Sequence, residues 1–317
     1  MGKCTSISYV DSSWNPWMGC QYVSLGCREC YAKRNWRLLR LKPDEVRRAA
    51  DVTFYAPLKW KESRRIMVCS LSDFFIEEAD EWREEVWDII TRCGGAQYII
   101  GANYPKHIFI IPTKRPERMI ECIYNGHTGL DRYGYSPNVW FLVSVENQEM
   151  ADKRIPELLK LREYGNWPVL GLSVEPYLSE IDIKYYLNGG PEQDGHGNWI
   201  QTFQPLSWVI CGGESGTNAR PCHPGWVRSL RDQCVEVGVP FFFKQWGEYC
   251  TPNQMSLDSF NQWKDSILMP LNDKPLDKPM RIGKKAAGCL LDGREWREYP
   301  KWLAGNQRVG RTSHNIR

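Results

Sequence analysis

Short apolar runs alternate along the chain with longer segments whose apolar residues recur at helical spacing. The runs are rich in β-branched and aromatic residues and cover positions 65–70, 107–111, 139–143, 168–172, 208–211 and 239–243. Continuous apolar runs of this length are typical of strands covered on both faces, and their alternation with helices indicates a parallel sheet. Adding one strand before residue 19, we predict an α/β fold, a partial (β/α) barrel of about six to seven parallel strands.

Helical periodicity is clearest at 79–92, where Trp82, Val86 and Ile89 lie on one face, and at 225–235. The first helix is expected to begin near Asp80. Residues 31–40 predict a further helix with a charged face. The simplest interpretation of those charges is that this face is exposed to solvent.

Periodicity fades after Tyr249, in segments rich in polar residues and proline. We therefore predict that residues 1–250 form the barrel with an N-terminal cysteine loop, and that residues 251–317 form an irregular C-terminal extension packed on it. The Gly-rich stretch 186–204 predicts a surface loop or small hairpin.

Composition narrows the class of protein. The chain has 317 residues, 42% of them hydrophobic, no apolar run long enough for a membrane span, and no signal-peptide pattern at its N-terminus. A cytoplasmic protein without membrane contact is expected.

The net charge of +3 does not demand a polyanionic partner. Most of the twelve cysteines are scattered singly through apolar segments, which favours a reducing compartment over disulfides.

Polar side chains follow almost every predicted strand. These tails are 70–73, 112–116, 144–147, 173–176, 212–216 and 244–247. Ligands bind at the carboxyl ends of parallel strands, and a structural sheet has no need for a Lys, an Asp and three Glu at one rim. Each residue alone could be a cap or an ion-pair partner, but together they predict a ligand site.

Cys20, Cys27 and Cys30 form the one cysteine cluster, with spacings of six residues and then two, between flanking glycines. Thiolates bind soft metals, and three of them leave one iron of a [4Fe–4S] cluster without a protein ligand. A structural zinc site usually has a fourth Cys or His at short range, and no cysteine or histidine follows Cys30 before Cys69. Unliganded buried thiols fit this polar, loop-like segment less well.

A three-cysteine loop after the first strand, followed by a (β/α) series with polar strand ends, resembles the radical S-adenosylmethionine superfamily, although the usual spacing there is three residues and then two. The chain resembles more closely a phage- and bacteria-associated family of uncharacterised proteins with the longer spacing. Its hallmarks stand here as residues 14–16, 26–32, 113–119, 144–147, 212–216, 242–247 and 291–294.

The chain is also similar to the spore photoproduct lyases, which are DNA-repair enzymes. That resemblance implies that Lys114 holds the methionyl carboxylate of the cofactor and Ser144 its ribose, roles that suit an ammonium and a hydroxyl. Asp73, with Ser72 beside it, would accept from the methionyl ammonium, and Tyr31 follows the last cysteine of the motif. The Gly-Gly-Glu at 212–214 is too late in the chain to take the superfamily's role for that motif.

The implied cofactors are a [4Fe–4S] cluster and S-adenosylmethionine, with an electron donor such as flavodoxin or ferredoxin. A 5'-deoxyadenosyl radical would then abstract hydrogen from a substrate bound near Glu146, Glu175, Glu214 and Lys244. Cys211 or Cys222 could return a hydrogen atom to a product radical, but core positions are expected for both.

Basic and aromatic residues interleave at 31–37 and 59–65, a pattern that suits phosphate contacts and base stacking as well as exposed helix faces. The pattern alone leaves both open, and it is mainly the resemblance to a DNA-repair enzyme that implies a nucleic-acid or nucleotide-derived substrate. The alternative function is a non-catalytic nucleic-acid or protein binding module whose metal, Zn or Fe–S, is structural.

Overall fold

The computed structural model describes residues 5–42, 44–94, 107–124, 138–165, 167–193, 199–266 and 278–301. Parts of the predicted hairpin (194–198) and of the C-terminal extension (267–277 and 302–317) lie outside this range.

The strands are β1 Ser12–Trp14, β2 Trp17–Met18, β3 Arg47–Arg48, β4 Arg64–Val68, β5 His107–Thr113, β6 Val139–Ser144, β7 Val169–Val174, β8 Pro191–Gln193, β9 Trp199–Gln201, β10 Trp208–Gly212, β11 Phe241–Gln245, β12 Tyr249–Cys250, β13 Met280–Arg281, β14 Leu290–Leu291 and β15 Arg294–Glu295. The α-helices are α1 Ala32–Leu38, α2 Asp51–Phe54, α3 Ala56–Lys59, α4 Asp80–Gly94, α5 Pro116–Tyr124, α6 Gln148–Leu159, α7 Leu161–Tyr164, α8 Lys184–Leu187, α9 Pro224–Val237, α10 Leu257–Ser266 and α11 Lys284–Ala287.

Seven strands form one parallel sheet in the order β1, β4, β5, β6, β7, β10, β11, so spatial order follows chain order. The sheet curls strongly into a half-barrel, which confirms the predicted α/β fold and partial barrel. All six apolar runs and the segment before the cysteine loop supply these strands. Because every strand runs in the same direction, their carboxyl ends and polar tails meet at one edge.

The sheet is buried on both faces, which explains why its strands read as continuous apolar runs. Along β5, Phe109 and Ile111 belong to the large core cluster that includes the helices. Ile108 and Ile110 belong to a second cluster, with Trp140 on β6. Burying one such side chain contributes about 1.5–3 kcal/mol.

The described part of the C-terminal segment packs against the last strand and α9. Phe243 N–H donates to the carbonyl of Trp296 at 3.0 Å, and Trp246 N–H donates to the carbonyl of Gly288 at 3.1 Å. Arg228 on α9 pairs with Asp292 at 2.6 Å. No helix in the described ranges is both long enough and apolar enough to cross a membrane.

Candidate cofactor site

A cavity of about 340 Å³ opens at the carboxyl ends of the sheet strands, between them and the cysteine loop. Its volume falls within the range of small-molecule sites. All three cysteines of the loop line it, together with residues from the tails of β4, β5, β6, β7, β10 and β11. The expected convergence of strand-end residues on one site is therefore present.

The cysteine loop leaves β2 through Gly19, which has φ +100°. A Cβ at this position would lie 1.9 Å from the carbonyl oxygen of Glu45, so only glycine fits. Gly19 N–H donates to the Leu71 carbonyl at 3.1 Å, and the Ser72 hydroxyl donates to the Gly19 carbonyl. Ser72, predicted to be near the cofactor, lines the cavity and also ties the loop to the end of β4.

Glu146 holds the middle of the same loop. Its Oε1 accepts a hydrogen bond from the backbone N–H of Gly26 at 3.1 Å, and its Oε2 accepts from Arg154 Nη1 at 2.9 Å. Glu146 is fully buried, and it is not among the residues that line the cavity. Burial alone would raise its pKa, but Arg154 and the Gly26 hydrogen bond bring that pKa below its ordinary value. This carboxylate supports the loop instead of facing the substrate space expected for it.

Arg115, which follows β5, holds the start of the loop. Its Nη1 lies 3.5 Å from Cys20 Sγ, and its Nη2 donates to the Gln21 carbonyl at 3.2 Å. The same guanidinium pairs with Asp73 at 3.2 Å. Arg115 thus links the first cysteine to the end of β4.

The Asp73 carboxylate is occupied by partners from the protein. Oδ1 accepts from the Thr113 hydroxyl at 2.7 Å and from Phe75 N–H at 3.0 Å. Oδ2 accepts from Lys114 N–H at 2.9 Å and faces Arg115. Two oxygens offer about four lone-pair sites, so all are used. Asp73 lines the cavity as predicted, and its visible role is to join β4 to β5.

The three thiols fit a cluster because all three cysteines line the same cavity and belong to a single loop held at several points. Within the described ranges, no three Cys, His, Asp or Glu side chains converge on a single-ion site. A cluster makes a different demand, because each of its irons takes its own thiolate. Burial raises the pKa of the Cys20 thiol to about 12 and also raises that of Cys30.

Lys114 and Ser144 face the cavity from adjacent strands, as expected. Lys114 makes no ion pair with any described carboxylate, so its ammonium is available to an anion. Ser144 is buried and lies in register with Ser173, also a cavity residue. Tyr31 donates its hydroxyl to the Ser70 carbonyl at 2.7 Å and leaves half of its surface exposed at the cavity.

Glu175 and Lys244 form an ion pair at 2.7 Å on the cavity wall contributed by β7 and β11. The Ser173 hydroxyl lies 3.4 Å from the other Glu175 oxygen, and Lys244 Nζ lies 5.6 Å from the ring centroid of Tyr9. Both members of the pair keep some exposure, so a bound molecule can reach a donor and an acceptor side by side.

Glu214 also lines the cavity, but Arg220 engages both of its oxygens, at 2.6 and 2.8 Å. Cys211 and Cys222, by contrast, are fully buried and are not among the cavity residues, as expected for core positions. Burial raises the pKa of both thiols.

Sequence reasoning missed three arginines, Arg115, Arg154 and Arg220, which position the predicted residues. One signal was available: Arg154 shares the buried stripe of α6 with Ala151, Ile155 and Leu158, where a charge requires a partner. Of the two basic segments, 59–65 has its arginines in ion pairs, Arg64 with Glu62 and Arg65 with Asp11.

No curated protein and no solved structure matches the chain. Residues 4–300 match the model of a family described as a protein of unknown function, DUF5131. This match includes the cysteine loop, the whole parallel sheet and most of the described C-terminal segment, and the chain therefore belongs to the DUF5131 family.

Proposed function

We propose that this protein is a radical S-adenosylmethionine enzyme. The observation that carries the proposal is that the thiols of Cys20, Cys27 and Cys30 face one cavity together with Lys114 and Ser144. Those are the groups that a cluster with one open iron, and a cofactor with a carboxylate and a ribose, would require.

In this proposal the three cysteines hold a [4Fe–4S] cluster, and Lys114 pairs with the methionyl carboxylate of S-adenosylmethionine. Ser144 hydrogen-bonds the ribose. A cluster and cofactor held there would supply one-electron reductive cleavage of the sulfonium and, through it, hydrogen abstraction from a substrate. The protein's part is to position both molecules and exclude water, for which the cavity offers apolar walls from Ile7 and Met67.

Glu175 and Lys244 would orient the substrate. A neutralised ion pair presents an acceptor beside a donor, and nucleobase edges carry the complementary arrangement. This supports a nucleotide-derived substrate. Arg220 holds the carboxylate of Glu214. Glu214 would therefore affect the substrate through the shape and polarity of the cavity edge.

The test is anaerobic reconstitution with iron and sulfide. We expect brown protein with about four irons per chain, and release of 5'-deoxyadenosine from S-adenosylmethionine under dithionite. Cys27→Ser should lose both properties. Cys289→Ser, which changes a partly exposed cysteine outside the loop, should keep them. Colourless protein that retains a single zinc would contradict the proposal and favour the structural-metal alternative.

A further inference from the structure

The surface formed by residues 21–42, here called the basic surface, has a charge unlike that of the rest of the chain. It carries six Lys and Arg side chains against one carboxylate, Glu29, whereas the whole protein has 41 basic and 38 acidic residues. Glu29 is itself 3.5 Å from Arg28. The positive charge of the protein is therefore concentrated on the cysteine loop and α1.

Apart from Arg28, the arginines of the basic surface lack the ion pairs found elsewhere. Among the described arginines, only Arg34, Arg37, Arg40 and Arg162 have no carboxylate partner. Arg162 donates to a backbone carbonyl. The other three are exposed on α1 and just beyond it, and they do not line the cavity. They form an exposed cationic stripe with no internal counter-charge.

Apolar side chains are exposed on the same surface. They are Tyr22, Val23, Leu25, Tyr31, Leu38 and Leu39, with Leu38 74% exposed. Exposed apolar groups mixed with arginine are typical of protein interfaces. Four of these six side chains are aliphatic and offer neither a face for base stacking nor a donor to phosphate, so this mixture favours an acidic protein over nucleic acid.

We propose that the basic surface docks an acidic one-electron donor protein. The inference rests on the proposed function, in which each turnover needs one electron from outside the protein. A donor bound at residues 21–42 lies beside Cys27 and Cys30, which belong to this surface. The donor is oxidised by one electron, and the cluster that the cysteines hold accepts it. The interfaces of electron-transfer complexes are small and depend on charge complementarity, which fits the size and charge of the basic surface.

The test uses reconstituted protein and an acidic flavodoxin as the probe. The triple variant R34E/R37E/R40E is compared with R92E/K153E/K184E, which makes the same change in charge at exposed cations on helices that do not line the cavity. We expect the first variant to weaken flavodoxin binding and flavodoxin-driven release of 5'-deoxyadenosine about tenfold or more. Its dithionite-driven rate should be unchanged, because dithionite needs no docking surface.

Three outcomes decide the inference. Equal flavodoxin binding by the two triple variants would overturn it. Binding of a labelled single-stranded DNA oligonucleotide that R34E/R37E/R40E loses, with flavodoxin binding unaffected, would assign the surface to nucleic acid instead. If the wild-type protein shows no dithionite-driven cleavage, the proposed function fails, and the binding measurement still decides whether the surface takes an acidic protein.

Discussion

The carboxylate of Glu146 accepts a hydrogen bond from the backbone N–H of Gly26 at 3.1 Å, which joins the end of β6 to the centre of the cysteine loop. Arg154 on α6 holds that carboxylate from the other side and also donates to the Ser144 carbonyl at 2.7 Å. The conformation of the loop is thus coupled to the strand that presents Ser144 to the cavity. Disturbing this connection should alter the arrangement of the thiols.

Gly26→Ala should disturb the loop sterically. An alanine Cβ would lie 3.1 Å from the carboxyl carbon and from Oε1 of Glu146. Overpacking of this kind costs about 1–3 kcal/mol, which urea denaturation can measure. We also expect lower iron content after reconstitution, measured against Leu25→Ala, which changes an exposed side chain in the same loop. Unchanged stability and iron content would show that Glu146 yields without moving the loop.

The Glu146–Arg154 pair should behave as a coupled buried unit. Arg154→Met leaves the Glu146 carboxylate buried without its counter-ion and should lower the free energy of unfolding by about 3–5 kcal/mol. Glu146→Gln retains an acceptor for Gly26 N–H but leaves Arg154 without its counter-ion. The double variant should lose less than the sum of the two single variants, as measured by urea denaturation in a double-mutant cycle. Strict additivity would argue against the coupling.

Lys114→Ala should weaken binding of S-adenosylmethionine and leave the cluster intact. Removing a charged hydrogen-bond donor costs about 1.5–3 kcal/mol, or roughly tenfold to a hundredfold in dissociation constant. Calorimetric titration of reconstituted protein measures this. Lys284→Ala removes another cavity lysine and serves as the control. Loss of iron in Lys114→Ala would assign that lysine to the loop instead of the cofactor.

Asp292 should make acid stability depend on the C-terminal segment. Hydrogen bonds from Arg228, with further ones from Arg231 and Gln254, lower its pKa from 3.8 to about 2. A depressed folded-state pKa stabilises the fold above about pH 4, and the contribution disappears as pH falls through about 2. Asp292→Asn should therefore lower the melting temperature at neutral pH, with the difference from wild type shrinking below pH 4. A difference independent of pH would mean that the carboxylate's charge is not involved.

Much of the architecture was predictable because each strand of a parallel sheet has a recognisable composition over a few consecutive residues. Strands buried on both faces must be apolar throughout, so 107–111 and 139–143 are identifiable from composition alone. Helical spacing likewise gave the start of α4 at Asp80. The polar tails indicated the edge of the sheet at which a site forms, since parallel strands share one direction.

The roles of individual carboxylates were less predictable. Glu146, Glu175 and Glu214 each follow a strand and look equivalent along the chain. The structure distinguishes them: Arg154 draws Glu146 away from the cavity, Lys244 pairs with Glu175 inside it, and Arg220 occupies Glu214 at its edge. Their partners lie between 6 and 69 residues away along the chain, which local pattern cannot reveal.

By itself, the sequence determined the α/β class, the succession of strands and the grouping of three thiols ahead of a sheet edge rich in polar residues. These follow from periodicity and spacing, which act over a few residues. Only the tertiary structure decided which side of the loop faces the cavity, which charges are neutralised and which remain free on α1. Those outcomes depend on the distances and burial that arise when separate strands and helices pack, because burial makes an unpaired charge costly and a paired one tolerable.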